Sequence, residues 1–148
     1  MPRISRTAYF SRICEVVAER STCTRAKVGA VLVDNMNNRV VATGFNGSLP
    51  SAPHCIDEGC LMVGGHCKRT IHAELNAVLH LEHSYESLSC YCTHQPCHLC
   101  FIALVMANVD RIYYQHEYKD DVREMLYREM ATGLRPQMIP VEGVYETQ

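Results

Sequence analysis

The sequence predicts an α/β fold, one mixed sheet with helices on both faces. Three observations carry that expectation. A β-branched segment at residues 28–34 turns through residues 35–38 into a second strand at 39–45. After this hairpin, helical and strand patterns alternate to the end of the chain, which adds crossover pairs to the antiparallel one. The chain has 148 residues, 47% of them hydrophobic and 20% charged, enough for a single domain to bury a core.

Each element follows from local pattern. Tyr9, Phe10, Ile13, Val16 and Val17 recur at i, i+1, i+4, i+7 and i+8, the stripe of an amphipathic helix. The hairpin over 28–45 has Asn at both ends of its turn. Residues 46–69 are irregular and rich in Gly, Pro, Cys and His; a connection that long is functional or is held by something of its own. A second helix is expected over 70–83, with Leu75, Val78 and Leu79 on one face, and a strand over 89–93. Pro96 suits the first turn of a third helix reaching Ala107. A strand over 110–114 precedes a helix at 120–132, apolar at Val122, Met125, Leu126 and Met130 and stopped by Gly133. Residues 137–141 add a last strand. No repeat or linker divides the chain, so it reads as one domain over 1–148 with a Cys/His-rich insertion at 50–68.

Composition excludes several classes. Sixteen acidic residues against fourteen basic, a net charge of −2, argue against a protein that grips nucleic-acid phosphates. The apolar runs at 28–33 and 101–107 fall short of the roughly 20 residues that span a bilayer, so no membrane partner is expected. Arg3, Arg6 and Arg12 interrupt any N-terminal apolar stretch, and the expected location is cytoplasmic. Nine cysteines, an odd number, with eight histidines then point to metal rather than disulfides.

Two groups of these residues stand out. His72-Ala73-Glu74 opens the second helix, and Pro96-Cys97-His98-Leu99-Cys100 opens the third. Zinc favours imidazole and thiolate ligands, and a helix N-terminus favours ionised sulfur. His72, Cys97 and Cys100 leave a fourth tetrahedral position open, as a catalytic zinc requires. Glu74 sits roughly 200° round the helix from His72, awkward for ligation but suited to a general base. The competing reading is a structural zinc ribbon or redox pair, with Glu74 a favourable first-turn charge. The second group is His54, Cys55, Cys60, His66 and Cys67: three thiolates that His66 or a distant cysteine would close into a tetrahedral site, or else reduced buried thiols. Cys14, Cys90 and Cys92 read as small core hydrophobes.

The His-x-Glu and Pro-Cys-x-x-Cys pair is the zinc-dependent nucleobase deaminase signature. Around it, Ser21-Thr22-Cys23-Thr24-Arg25, Val28-Gly29-Ala30-Val31, Gly44-Phe45-Asn46-Gly47-Ser48, Arg69-Thr70-Ile71-His72-Ala73-Glu74-Leu75-Asn76-Ala77 and Tyr113-Tyr114 with Tyr118 resemble the deoxycytidylate (dCMP) deaminases of the zinc-dependent cytidine/deoxycytidylate deaminase family. The Cys/His-rich segment resembles the bacterial branch linked to a late-competence operon. The likeness covers about residues 8–142.

That resemblance implies a three-layer α/β/α fold with a central five-stranded sheet. It implies hydrolysis of dCMP to dUMP and ammonia, supplying dUMP for dTMP synthesis, with Glu74 as the catalytic acid–base. Ala73 would hold the base edge through its backbone. Asn46 would bind the sugar, although Asn-Gly is also a favoured turn pair. Arg25 is the first choice for the phosphate, because guanidinium matches phosphate oxygens, and Tyr118 the second, with Lys27 and Arg69 behind them. Cys23, Cys55, Cys60 and Cys67, with His66 as substitute, would hold a second, structural zinc. Also implied are a homo-hexamer or other homo-oligomer, activation by dCTP, inhibition by dTTP, Mg2+ accompanying a triphosphate effector, and an effector loop at Gly44, Asn46, Gly47 and Ser48. The alternatives are another zinc deaminase acting on free cytidine, deoxycytidine or another base, and a non-catalytic zinc module linked to DNA uptake.

Overall fold

The computed structural model describes residues 2–142; residue 1 and residues 143–148, part of the single-domain reading and of the tail after Val141, lie outside the described residues. In chain order the elements are α1 (Arg6–Ala18), β1 (Gly29–Asp34), β2 (Arg39–Phe45), β3 (Gly47–Ser48), α2 (Cys55–Glu58), β4 (Met62–Val63), β5 (His66–Cys67), β6 (Thr70–Ile71), α3 (Ala73–Leu79), β7 (Leu88–His94), α4 (His98–Met106), β8 (Val109–His116), α5 (Asp121–Glu129) and β9 (Gln137–Pro140).

The main sheet runs β2-β1-β7-β8-β9. The first two pairings are antiparallel, and β7-β8 and β8-β9 are parallel. This is the five-stranded mixed sheet that the hairpin and the alternation predict. A row of side chains crosses it in register: Ala42, Leu32, Cys90, Ile112 and Met138. They face Ala73 and Ala77 of α3 and Phe101 and Leu104 of α4. The alternate residues Val31, Tyr91 and Tyr113 point the other way, onto Phe10 and Cys14 of α1. Period-two alternation thus feeds two core layers, one on each face. Tyr91 and Tyr113 stack with ring centroids 4.4 Å apart, and Phe10 packs 5.2 Å from Tyr91. Cys14, Cys90 and Cys92 are all buried; the Cys14 thiol donates to the Gly29 carbonyl at 2.9 Å and that of Cys92 to the Tyr113 carbonyl at 3.3 Å.

Three expectations need correction. On α1 the buried stripe is Phe10, Ser11, Cys14 and Ala18, while Tyr9 and Val16 face solvent. The second predicted helix is shorter than 70–83: Thr70 and Ile71 pair as β6 with Ser48 and Gly47, the helix occupies Ala73–Leu79, and Leu79 is exposed. Pairing with β3 holds Thr70 and Ile71 in extended backbone, so their carbonyls cannot accept from a further helical turn. On α5, Val122 and Met125 are exposed and Arg123 is buried; the helix ends at Glu129, four residues short of Gly133. Among the described residues no helix is long and apolar enough to cross a membrane.

Candidate active site

Two helix N-termini build the site. Strand β6 delivers His72 to the N-cap of α3, and β7 delivers Cys97, three residues past its end, to the N-cap of α4. Neither residue spends its side chain on capping its own helix. The His72 Nδ1 atom lies 3.4 Å from Cys97 Sγ and 3.5 Å from Cys100 Sγ. All three donor atoms fall within 4.8 Å of one another. Tetrahedral bonds of about 2.3 Å to sulfur and 2.1 Å to nitrogen separate those two atoms by about 3.5 Å. The donor set therefore fits zinc in both chemistry and spacing.

Hydrogen bonding and burial shift these side chains in different directions. A hydrogen bond from Cys100, with one from His72, draws the Cys97 thiol down to about 4. The bond to Cys97 raises His72, and Cys100's own bond to Cys97, with burial, raises Cys100. Glu74, in the first turn of α3, is only 4% exposed, and burial pushes its carboxyl up to about 6. An acid of that kind at neutral pH is poised to accept and return protons.

Glu74, His72 and Cys97 share a cleft of about 370 Å³ with Arg25, Asn46 and Tyr118. The Asn46 side chain is already engaged, its Oδ1 accepting from the Val28 amide at 2.9 Å and its Nδ2 donating to the Ala26 carbonyl at 2.8 Å. One N–H and one lone pair remain for a ligand. Arg25 is exposed and rests its Nη1 on the Met62 sulfur at 3.8 Å. Tyr118 is 46% exposed, with its backbone N–H donating to Gln95 Oε1 at 3.2 Å. Ala73 also lines the cleft, whereas Gly44, Gly47 and Ser48 do not. His94 and Gln95 line it without having been singled out in the sequence. Their position between a strand end and Pro96 was the available cue, because ligands collect at the carboxyl ends of such strands.

The insertion folds around its own thiols. The Cys55, Cys60 and Cys67 sulfurs lie within 4.8 Å of one another, with Cys55 and Cys67 3.7 Å apart. Gly64 and Gly65, at φ 58° and 79°, close the β4–β5 hairpin that brings Cys67 back. Cys23 and His66 are not part of that cluster; both line the cleft beside Cys67, and Cys23 Sγ accepts from the Arg25 amide at 3.4 Å.

Helix N-termini presenting imidazole and thiolates beside a buried carboxylate, on an α/β/α sheet, define a zinc-site protein of the nucleobase deaminase type. Residues 4–116 match the cytidine and deoxycytidylate deaminase zinc-binding region, and the chain belongs to that family. It is 43% identical over 122 residues to ComE operon protein 2 of Bacillus subtilis, covering 80% of this chain and 64% of that protein. To the deoxycytidylate deaminase of Mycobacterium phage D29 it is 31% identical over 130 residues, covering 79% and 99%. The dCMP deaminase of cyanophage S-TIM5, solved in complex with dCMP and dUMP, superposes with a TM-score of 0.75 at 25% identity, covering 95% of this chain and all (100%) of that one. The chain spans 64%, 40% and 46% of the lengths of the Bacillus, Saccharomyces cerevisiae and Schizosaccharomyces pombe relatives.

Proposed function

We propose that this protein deaminates dCMP hydrolytically to dUMP and ammonia. The observation that carries the reading is one cleft holding three zinc-spaced donors and a buried carboxylate. His72, Cys97 and Cys100 would hold a zinc, which when bound would supply the Lewis acidity that activates water near neutral pH. Glu74 accepts the proton of the attacking water and passes it to N3 of the pyrimidine as C4 becomes tetrahedral. It then takes the proton of the new C4 hydroxyl and delivers it to the amino group, which leaves as ammonia as the C4 carbonyl forms. Because Glu74 is only 4% exposed, each proton it takes passes to the substrate instead of to bulk solvent.

Substrate positioning follows the cleft. The Ala73 backbone meets the base edge, the free half of the Asn46 amide meets the sugar, and Arg25 with Tyr118 receives the phosphate at the open side. Deoxycytidylate deaminases among the relatives support dCMP over free nucleosides. The Cys55, Cys60 and Cys67 cluster, completed by Cys23 or His66, holds a second zinc that keeps the insertion ordered. Activation by dCTP, inhibition by dTTP, Mg2+ carried with the effector, homo-oligomeric assembly and a cytoplasmic location extend the reading by family likeness.

The test is ammonia release from dCMP, deoxycytidine and CMP by zinc-replete protein, with and without dCTP and Mg2+. Turnover of dCMP well above the other two is expected. Turnover of deoxycytidine alone keeps the proton chemistry and removes Arg25 as a phosphate ligand. No turnover of any of the three overturns the proposed activity in favour of another base or a binding module.

A further inference from the structure

We infer that Asp120 and Arg123, at the start of α5, are positioning residues that fix Cys97 for metal binding by gripping the peptides on either side of it. The inference rests on the reading of His72, Cys97 and Cys100 as the zinc site.

The need for an outside grip comes from the sequence position of Cys97. An N-cap residue ordinarily spends its own side chain on the first free amides of its helix. Cys97 occupies that position on α4 but makes no such bond, because its sulfur lies toward His72. Asp120 instead satisfies the free amide of the first helical residue, His98. Its Oδ2 accepts from the His98 amide at 2.8 Å and lies 2.9 Å from His98 Nδ1. Its Oδ1 accepts from the Arg123 amide at 2.9 Å, capping α5. One carboxylate therefore caps two helices.

On the other side of Cys97, Arg123 Nη1 donates to the Pro96 carbonyl at 2.6 Å. Arg123 is 3% exposed, and its remaining bonds, from Nε and Nη2, go to Glu124 Oε1 at 3.3 and 3.1 Å. A guanidinium is costly to bury unless every donor serves a purpose. Here one donor reaches across to α4 and holds the carbonyl immediately before a metal ligand. The Cys97 carbonyl is itself held by the Phe101 amide at 2.8 Å. The peptides flanking Cys97 are thus tied to the first turn of α5, and the sulfur inherits their position. Partners outside the ligand shell typically govern metal affinity by 10- to 100-fold.

The holoprotein is compared with Asp120→Asn, Asp120→Ala, Arg123→Met and Arg123→Lys. Zinc affinity is measured by competition with a chromogenic chelator, and thiolate–metal absorption after cobalt substitution. Asp120→Asn can keep the bond to the Arg123 amide while presenting an NH2 group to His98; Arg123→Lys can still donate to Pro96. Zinc affinity roughly tenfold or more weaker is expected in both Asp120 variants and in Arg123→Met. The cobalt bands should shift in the same three proteins, and Arg123→Lys should recover much of the loss. Wild-type affinity and spectra in the Asp120 variants and Arg123→Met would overturn the inference, whatever their melting temperatures. Should Arg123→Met not fold, the two Asp120 variants decide. Cys97→Ser separates the two levels: unchanged zinc affinity there refutes the zinc site itself, not the clamp.

Discussion

Gly44 lies directly against the backbone of Ala73: a Cβ placed on Gly44 would stand 2.2 Å from the Ala73 carbonyl oxygen and 2.5 Å from the Ala77 amide nitrogen. Strand β2 and helix α3 therefore pack at the closest approach that a residue without a side chain permits. Because Ala73 separates His72 from Glu74, this contact sets the depth at which both enter the cleft. Gly44→Ala should force α3 away from the sheet, destabilising the fold by about 1–3 kcal/mol and lowering kcat more than it raises KM. Thermal unfolding and steady-state kinetics measure both. An unchanged kcat would show that the depth of α3 is not critical.

Glu74 carries the proton in the proposed reaction, so Glu74→Gln should leave zinc content and melting temperature close to wild type while ammonia release falls by about 10²–10⁴-fold or more. The amide keeps the shape and cannot accept the proton. Turnover surviving at the wild-type rate would assign the acid–base role elsewhere.

The three thiols of the insertion predict a metal count. Wild-type protein should carry two zinc ions per chain, and Cys55→Ser should carry one, with the remaining ion still bound through Cys97. The same variant should expose the segment around the β4–β5 hairpin to protease. Two ions retained in Cys55→Ser would remove that cysteine from the site.

Asp120 gives the fold an acid-sensitive element. Burial raises its carboxyl, but the Arg123 amide and the side chain and amide of His98 outweigh burial and hold it at about 2, below the ordinary 3.8. A depressed carboxyl stabilises the folded state above its unfolded value and loses that contribution as pH falls through the folded one. The gap in unfolding midpoint between wild type and Asp120→Asn should hold steady above pH 4 and close toward pH 2. A pH-independent gap would detach the carboxylate's charge from its effect.

The sheet was readable because β1 is a short β-branched run, its hairpin turn is explicit, and the helical and strand patterns after it alternate along the chain. The candidate zinc site was readable because its residues fall in two short motifs, His72 with Glu74 and Cys97 with Cys100. Helix faces were harder. Val16, Val122 and Met125 satisfy helical spacing and still face solvent, while Ser11 and Arg123 are buried by partners far along the chain. Hydropathy counts the cost of leaving water and cannot see a carbonyl waiting on another element. His94 and Gln95 were missed for the same reason: strand β7, not a motif, brings them to the cleft.

Cys97 holds the capping position of its helix and leaves the capping to Asp120, a residue more than twenty positions later. The Pro96-to-Cys100 turn is consequently not a portable module. Grafted onto another scaffold, it would arrive with a frayed helix start and a loose sulfur unless the host presented a carboxylate to the same amide. Insertions between α4 and α5 would meet the same limit in reverse. Core strand β8 lies between them, so only the short connection over 117–119 remains, and its reach is fixed by where Asp120 must land.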